Sequence, residues 1–164
     1  MQTGYLGNGE AGAVLVRGRN LTPENTQKLY EAFPRLYRGQ SKIIYESSMC
    51  LGFVCDDGWF DLIWNLSQAI EDIARNEGLE PQSDDWPEAT QVKEKFGTLC
   101  FRLKRRAEAT TALIRKAEAA SATTCEICGA PGSQDANLRS GVKTVCGDHA
   151  EDILRETLVT LHQF

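Results

Sequence analysis

Two stretches, CEICGAPG (residues 125–132) and VCGDHAEDILRE (residues 145–156), decide how the last third of the chain folds. Cys125 and Cys128 are separated by two residues, and Cys146 and His149 repeat that spacing after a gap of seventeen. Thiolate and imidazole are the donors that zinc favours, and four of them complete a tetrahedral shell. Cys125, Cys128, Cys146 and His149 are therefore read as the ligands of one zinc ion. A catalytic zinc keeps three protein ligands and one open position, whereas four donors fill the shell here, so the expected role is structural. The other histidine, His162, lies near the tail, and there is no His-Glu-x-x-His pattern.

The residues around the ligands indicate the shape they hold. Gly129 tolerates the backbone turn that lets N–H groups approach the sulfurs. LRSGVKTV (138–145) reads as a hairpin with Ser140-Gly141 at its turn. The second ligand pair opens a helix from Gly147 onward, with Asp148 as its cap and the helix end favouring thiolate charge. A knuckle, a hairpin and a helix with two ligands in its first turn make a treble-clef finger, expected over 123–164.

Working outward from the finger, a helix is expected over about 104–121, with Leu103, Ala107, Thr110, Ile114, Ala117 and Ser121 on one face and several alanines favouring it. QVKEKFGTLCFRL (91–103) alternates Leu99, Phe101 and Leu103 with Cys100, Arg102 and Lys104. It reads as two strands around Gly97, or one strand bulged there. LEPQSDDWPEAT (79–90) is a polar loop pinned by Trp86. GWFDLIWNLSQAIEDIARNEG (58–78) is a helix, capped by Asp56 or Asp57, with Phe60, Ile63, Ser67, Ile70 and Ala74 on one face and Gly78 as its stop. Before it, Met49, Leu51, Phe53 and Cys55 alternate as in a strand. LTPENTQKLYEAFPRLY (21–37) is a helix with Thr22 as cap, Pro23 in its first position and Pro34 at its end. Residues 1–12 carry four glycines, and the first twenty residues read as a flexible lead-in, in which AVLVRG (13–18) adds a short strand.

The fold class expected is α+β. A small antiparallel sheet (about 42–55 and 90–103) packs on helices at 58–77 and 104–121, giving a core over 21–122. The finger is docked at the end of the second of these helices.

Composition narrows the function classes. The chain has 164 residues, 41% of them hydrophobic, and a net charge of −5. No apolar run reaches the ~20 residues of a membrane span, and the N-terminus lacks the order of a signal peptide, so a soluble cytoplasmic protein without disulfides is expected. The charge is uneven. Residues 1–90 carry 7 Lys and Arg against 14 Asp and Glu, 91–116 carry 8 against 2, and 117–164 carry 3 against 7. An acidic whole argues against broad coating of nucleic acid. The basic middle reads first as a solvated face that complements the acidic parts. Its alternative reading is a nucleic-acid contact through Lys93, Lys95, Lys104, Arg105 and Arg106.

Other candidates have plain readings. Cys50 and Cys55 lie five apart, on opposite faces of a strand, which argues against joint ligation; with Cys100 they read as small buried thiols. Asp56, Asp57 and Asp61 are explained by helix capping and first-turn charge. The glycine-rich start lacks the Gly-Lys-Ser/Thr ending of a phosphate loop. Phe96 and Phe101 point to opposite sides of a strand, so one or both belong to the core.

Two resemblances add to this reading. The finger CEICGAPG…VCGDH resembles that of the DksA/TraR family, regulators that bind RNA polymerase. Those fingers share the two-, seventeen-, two-residue spacing, usually with four cysteines, where His149 takes the last place here. That family carries a long coiled coil with an acidic tip before the finger. Residues 1–100 hold no such hairpin, so polymerase binding does not carry over. FVCDDGWFDLIWNLSQAI (53–70), QVKEKFGTLCFRL (91–103) and AEAASATTCEICGAPG (117–132) together resemble a family of small bacteriophage and prophage proteins. That resemblance implies an accessory phage product in the host cytoplasm. By analogy, such a product binds and blocks a host protein, such as a defence system or the transcription apparatus. The function expected is therefore a zinc-binding, non-catalytic accessory protein acting by protein–protein contact. A nucleic-acid-binding regulator using 91–116 is the first alternative, and a metal-dependent nuclease the second.

Overall fold

The computed structural model describes residues 20–135 and 141–161. The expectations for the glycine-rich start, the AVLVRG strand, Ser140 at the hairpin turn and His162 lie outside those residues. Among the described residues, four α-helices, a three-stranded sheet and a two-stranded sheet make a mixed α and β fold. None of these helices is long and apolar enough to cross a membrane.

Helix α1 (Pro23–Ala32) starts as its sequence dictates, with Thr22 Oγ1 accepting from the Asn25 N–H at 3.4 Å and proline in the first turn. Asp57 closes the same end from across the fold. Its Oδ1 accepts from the Thr22 N–H and from Asn25 Nδ2, each at 2.9 Å. This corrects the reading of Asp57 as the cap of the next helix. Helix α2 (Phe60–Asn76) instead begins through a 3-10 turn, Asp57–Trp59, with no side-chain cap.

The sheet runs in the order β1 (Phe53–Val54), β2 (Ala89–Lys95), β3 (Thr98–Leu103). β2 and β3 form the expected antiparallel hairpin around Phe96-Gly97. β1 pairs with β2 in parallel, Phe53 opposite Val92, so the sheet is not purely antiparallel. The chain must cross over between parallel neighbours, and α2 lies on that crossover. The strand expected over 48–55 shrinks to two residues. Gly52 takes φ 73° and breaks it, and Ser48–Leu51 wind into a 3-10 turn. Leu51 consequently points to solvent, while Met49, Phe53 and Cys55 are buried.

The inner sheet face, Val92 with Leu99, Phe101 and Leu103, packs against Ile63, Leu66 and Ile70 of α2 and Ile114 of helix α3 (Glu108–Ser121). α3 starts four residues later than the sequence suggests. The Lys104 N–H is taken by the Glu88 carbonyl at 2.8 Å, which extends the hairpin. Arg105 is drawn to Asp85, and the helix then opens at Ala107. Trp86 is buried as expected, its indole N–H 3.3 Å from Glu71 Oε1.

Glu88 gathers three cations at this end of the sheet: Arg38 at 3.1 Å, Lys42 at 2.5 Å and Lys104 at 3.9 Å. Burial pushes the Glu88 carboxyl up, but the Lys42 hydrogen bond and the Arg38, Lys42 and Lys104 charges outweigh it and hold it below the ordinary value. A pKa depressed on folding stabilises the protein above the unfolded-chain value, and the stabilisation is lost as pH falls through the folded value. Glu88→Gln is therefore expected to lower the unfolding free energy by about 1–3 kcal/mol at neutral pH. The difference should close as pH drops past about 4. Urea midpoints of both proteins at neutral and acid pH check this.

Candidate metal centre

The finger is built from a knuckle, a short hairpin and a helix. In the knuckle, the Cys125 N–H bonds the Ala130 carbonyl at 2.7 Å and the Gly129 N–H returns to the Cys125 carbonyl at 2.9 Å. Strands β4 (Ser133–Asp135) and β5 (Lys143–Val145) pair antiparallel. Helix α4 (Gly147–Leu161) follows. The Cys146 carbonyl accepts from the Ala150 N–H at 3.0 Å, so Cys146 stands at the cap position and Asp148 lies inside the first turn. This corrects the assignment of Asp148 as the cap.

These elements bring the four expected ligands together. One donor atom from each of Cys125, Cys128, Cys146 and His149 lies within 4.8 Å of the others. His149 Nδ1 is 3.1 Å from Cys146 Sγ and 3.6 Å from Cys125 Sγ, and the Cys128 and Cys146 sulfurs are 3.9 Å apart. A tetrahedron with metal–sulfur bonds of ~2.3 Å and a metal–nitrogen bond of ~2.0 Å has edges of roughly 3.5–3.8 Å. The donor spacing therefore fits a metal ion at the centre.

The knuckle also favours thiolate. Burial pushes the Cys125 thiol up, but hydrogen bonds from the backbone N–H groups of Cys128, Cys146 and Ile127 outweigh it and hold the thiol below its ordinary value. Cys128 receives one such bond from Ala130, but burial and the neighbouring Cys125 and Cys146 sulfurs leave it raised. Crowded sulfurs that resist joint ionisation are what a central cation relieves.

Beneath the ligands is a joint that sequence reasoning missed. Glu126, fully buried between the two cysteines, binds Lys143 Nζ through Oε2 at 2.8 Å and accepts the Asp56 N–H through Oε1 at 3.2 Å. Lys143 also reaches Asp56 Oδ2 at 3.5 Å. Burial pushes the Glu126 carboxyl up, only partly offset by Lys143. The Glu126 carbonyl accepts the Gly58 N–H at 2.7 Å, Trp59 Nε1 donates to the Thr124 carbonyl at 2.8 Å, and Thr144 Oγ1 donates to the Gly97 carbonyl at 2.5 Å. Gly58-Trp59, Gly97 and Cys125–Gly129 thus meet at one place. The only sequence signal for the joint was a charged residue inside each of two tight, otherwise small or apolar segments.

The remaining candidates do not converge on the metal centre. Asp57 serves α1 and Asp56 faces Lys143. Cys50 is exposed, Cys55 buried and Cys100 half-buried, so the buried-thiol reading holds for Cys55 alone in full. Among the described residues, the Cys/His group is the one set of three or more such donors placed to share an ion. The basic segment splits in two. Lys93 and Lys95 lie on β2, whereas Lys104, Arg105 and Arg106 lie past β3, where Lys104 and Arg105 meet Glu88 and Asp85.

Compared with protein-family models, with curated proteins and with solved structures, the chain finds no significant match.

Proposed function

We propose that the chain is a zinc-clipped accessory protein that performs no chemistry at its metal and acts by holding another protein. Three thiolates and one imidazole, a closed donor set, support zinc in a structural role over a catalytic one. The knuckle, hairpin and helix support a treble clef as the form of the clip. A target within bacterial host machinery follows from the resemblance to phage proteins.

The observation that carries the protein-binding reading is an apolar surface over residues 43–51. Ile43 is 61% exposed, Ile44 48% and Leu51 60%, all within nine positions of one another in a fold whose other aliphatic residues are mostly covered. Exposed apolar side chains concentrated in this way mark protein contacts more often than they mark stability. The test is capture from bacterial lysate at high salt by the zinc-loaded chain and by an Ile43→Ser, Leu51→Ser double variant. A stoichiometric protein held by the first and lost by the second is the expected result. Absence of such a protein, or equal capture by both chains, would overturn the reading.

A further inference from the structure

The outer face of the three-stranded sheet is separate from the metal clip. Side chains alternate along β2, so Val92 and Glu94 turn one way and Gln91, Lys93 and Lys95 the other. Across the hairpin, Gln91 stands opposite Arg102, Lys93 opposite Cys100 and Lys95 opposite Thr98. Paired residues share a face, so Lys93, Lys95 and Arg102 project together, away from the helices. No residue of this outer set belongs to the hydrophobic core.

What distinguishes this face is that its unmatched cations stand together on one hairpin. Seven cations of the described residues meet carboxylates, among them Arg38, Lys42 and Lys104 on Glu88, Arg105 on Asp85 and Lys143 on Glu126, whereas Lys28, Arg35, Arg106, Arg115 and Lys116 are unmatched on other elements. Among the described residues, Lys93, Lys95 and Arg102 have no carboxylate within ion-pair distance. Glu94 turns back instead, to accept the Gly97 N–H at 2.8 Å.

Aromatic rings stand at both ends of the same face. At the hairpin tip, Phe96 is 73% exposed, with Lys95 Nζ 5.5 Å from its ring centre. It also holds φ at 52°, followed by Gly97 at 79°, a turn in which asparagine or glycine is at ease and a bulky residue is strained. A strained backbone that presents a wetted ring serves neither packing nor turn stability. At the other end Tyr45 is 95% exposed, beside Gln91 and Arg102 across a shallow hollow of about 190 Å³.

We propose that this face binds single-stranded nucleic acid, with Lys93, Lys95 and Arg102 on phosphates and Phe96 and Tyr45 stacking on bases. The three unmatched cations are complementary to a phosphate backbone. Projecting rings find partners only where bases are unstacked, which favours a single strand over a duplex. The acidic remainder of the chain repels polyanions from other surfaces and so directs a strand to this one. Tyr45 belongs to the 43–51 stretch, so this face adjoins the protein-binding surface, but the substitutions that test the two, Ile43 and Leu51 against Lys93, Lys95 and Phe96, share no residue, so the two readings fail separately.

The test is fluorescence anisotropy of the zinc-loaded chain with labelled oligo-dT, oligo-rU and a duplex of equal length, and with polyglutamate as competitor. Saturable binding of one or both single strands is expected, with the tighter of the two showing whether DNA or RNA is the ligand. With three phosphates neutralised, affinity should fall roughly twentyfold for a fourfold rise in salt. Phe96→Asn should weaken binding by about 5- to 100-fold while its unfolding midpoint holds or rises, because asparagine suits the turn. Lys93→Glu with Lys95→Glu should abolish binding. No saturable binding of either strand would overturn the proposal, as would equal affinity for the duplex, displacement by polyglutamate at matched charge, or a Phe96→Asn variant that binds like the parent.

Discussion

Chelating the metal is expected to unfold residues 124–135 and 141–161 while α1, α2, α3 and the three-stranded sheet keep most of their structure. Among the described residues the finger has almost no core of its own: its buried apolar residues there are Cys125 and Val145, with Ile127, Cys146, Ala150 and Ile153 only partly covered around them. Full burial of a large apolar side chain contributes about 1.5–3 kcal/mol, and ordering each residue's backbone costs about 1–2 kcal/mol. So few side chains cannot hold a segment of this length. A structural zinc as proposed, at ~10–16 kcal/mol of apparent binding free energy, would supply what the packing lacks. Cys128→Ser is the discriminating variant, because Cys128 is exposed and its loss leaves no cavity. A quarter of that binding energy is about 3 kcal/mol, so metal affinity should fall roughly a hundredfold. Metal content per chain, competition with a chelating dye and amide hydrogen exchange read the three parts of this prediction. Retained protection over Lys143–Ile153 after chelation would show that the shell is not what holds the finger. Acid should release the ion as the thiolates take up protons.

What could be read from the sequence divides by the range of the interaction. The ligand set was legible because four donors around one ion demand fixed local spacing, and the structure brings together Cys125, Cys128, Cys146 and His149 as that spacing implies. The start of α1, the buried face of α2 and the β2–β3 hairpin were legible because caps, periodicity and turn residues act within a few positions. Residues whose partners lie far along the chain were misread or unseen. Asp57 looked like a cap for the helix beside it, but its partners are Thr22 and Asn25 at the far end of α1. β1 pairs in parallel with a strand on the other side of α2, a relation no local pattern records. Glu126 and Lys143 are a buried pair, and nothing in a period of 2 or 3.6 distinguishes them from two solvated charges. The basic stretch 91–116 read as one segment, but hairpin geometry sends alternate residues to opposite faces and the turn into α3 removes Lys104, Arg105 and Arg106 from the rest.

Gly58→Ala is expected to separate the finger from the core without removing the metal. Glycine-to-alanine changes at tolerant positions stabilise proteins by about 0.4–1 kcal/mol, because the unfolded chain loses freedom. Gly147, with open space where a Cβ would sit, is such a position on steric grounds, and Gly147→Ala serves as the control. At Gly58 the sign reverses. A Cβ there would lie 2.5 Å from both the Glu126 carbonyl oxygen and the Gly129 nitrogen, and closer still to the carbonyl oxygen of Cys125. All three are backbone atoms of the knuckle, held by its own hydrogen bonds, so the clash cannot be relieved by turning a side chain. The finger must instead lift away. That breaks the Gly58 N–H bond to Glu126 and the Trp59 indole bond to Thr124, and it opens the buried Glu126–Lys143 pair to water. A loss of about 3–5 kcal/mol is expected, the range reached when a buried network is broken. Because the four ligands all lie within the finger, metal content should stay at one per chain while thermal unfolding splits into two transitions. The earlier transition should be reported by Trp59 fluorescence. If Gly58→Ala melts in one transition at the parent's temperature, the knuckle does not rest on Gly58. If it loses its metal as Cys128→Ser does, the shell depends on the core and the finger does not fold as a unit on its own ion.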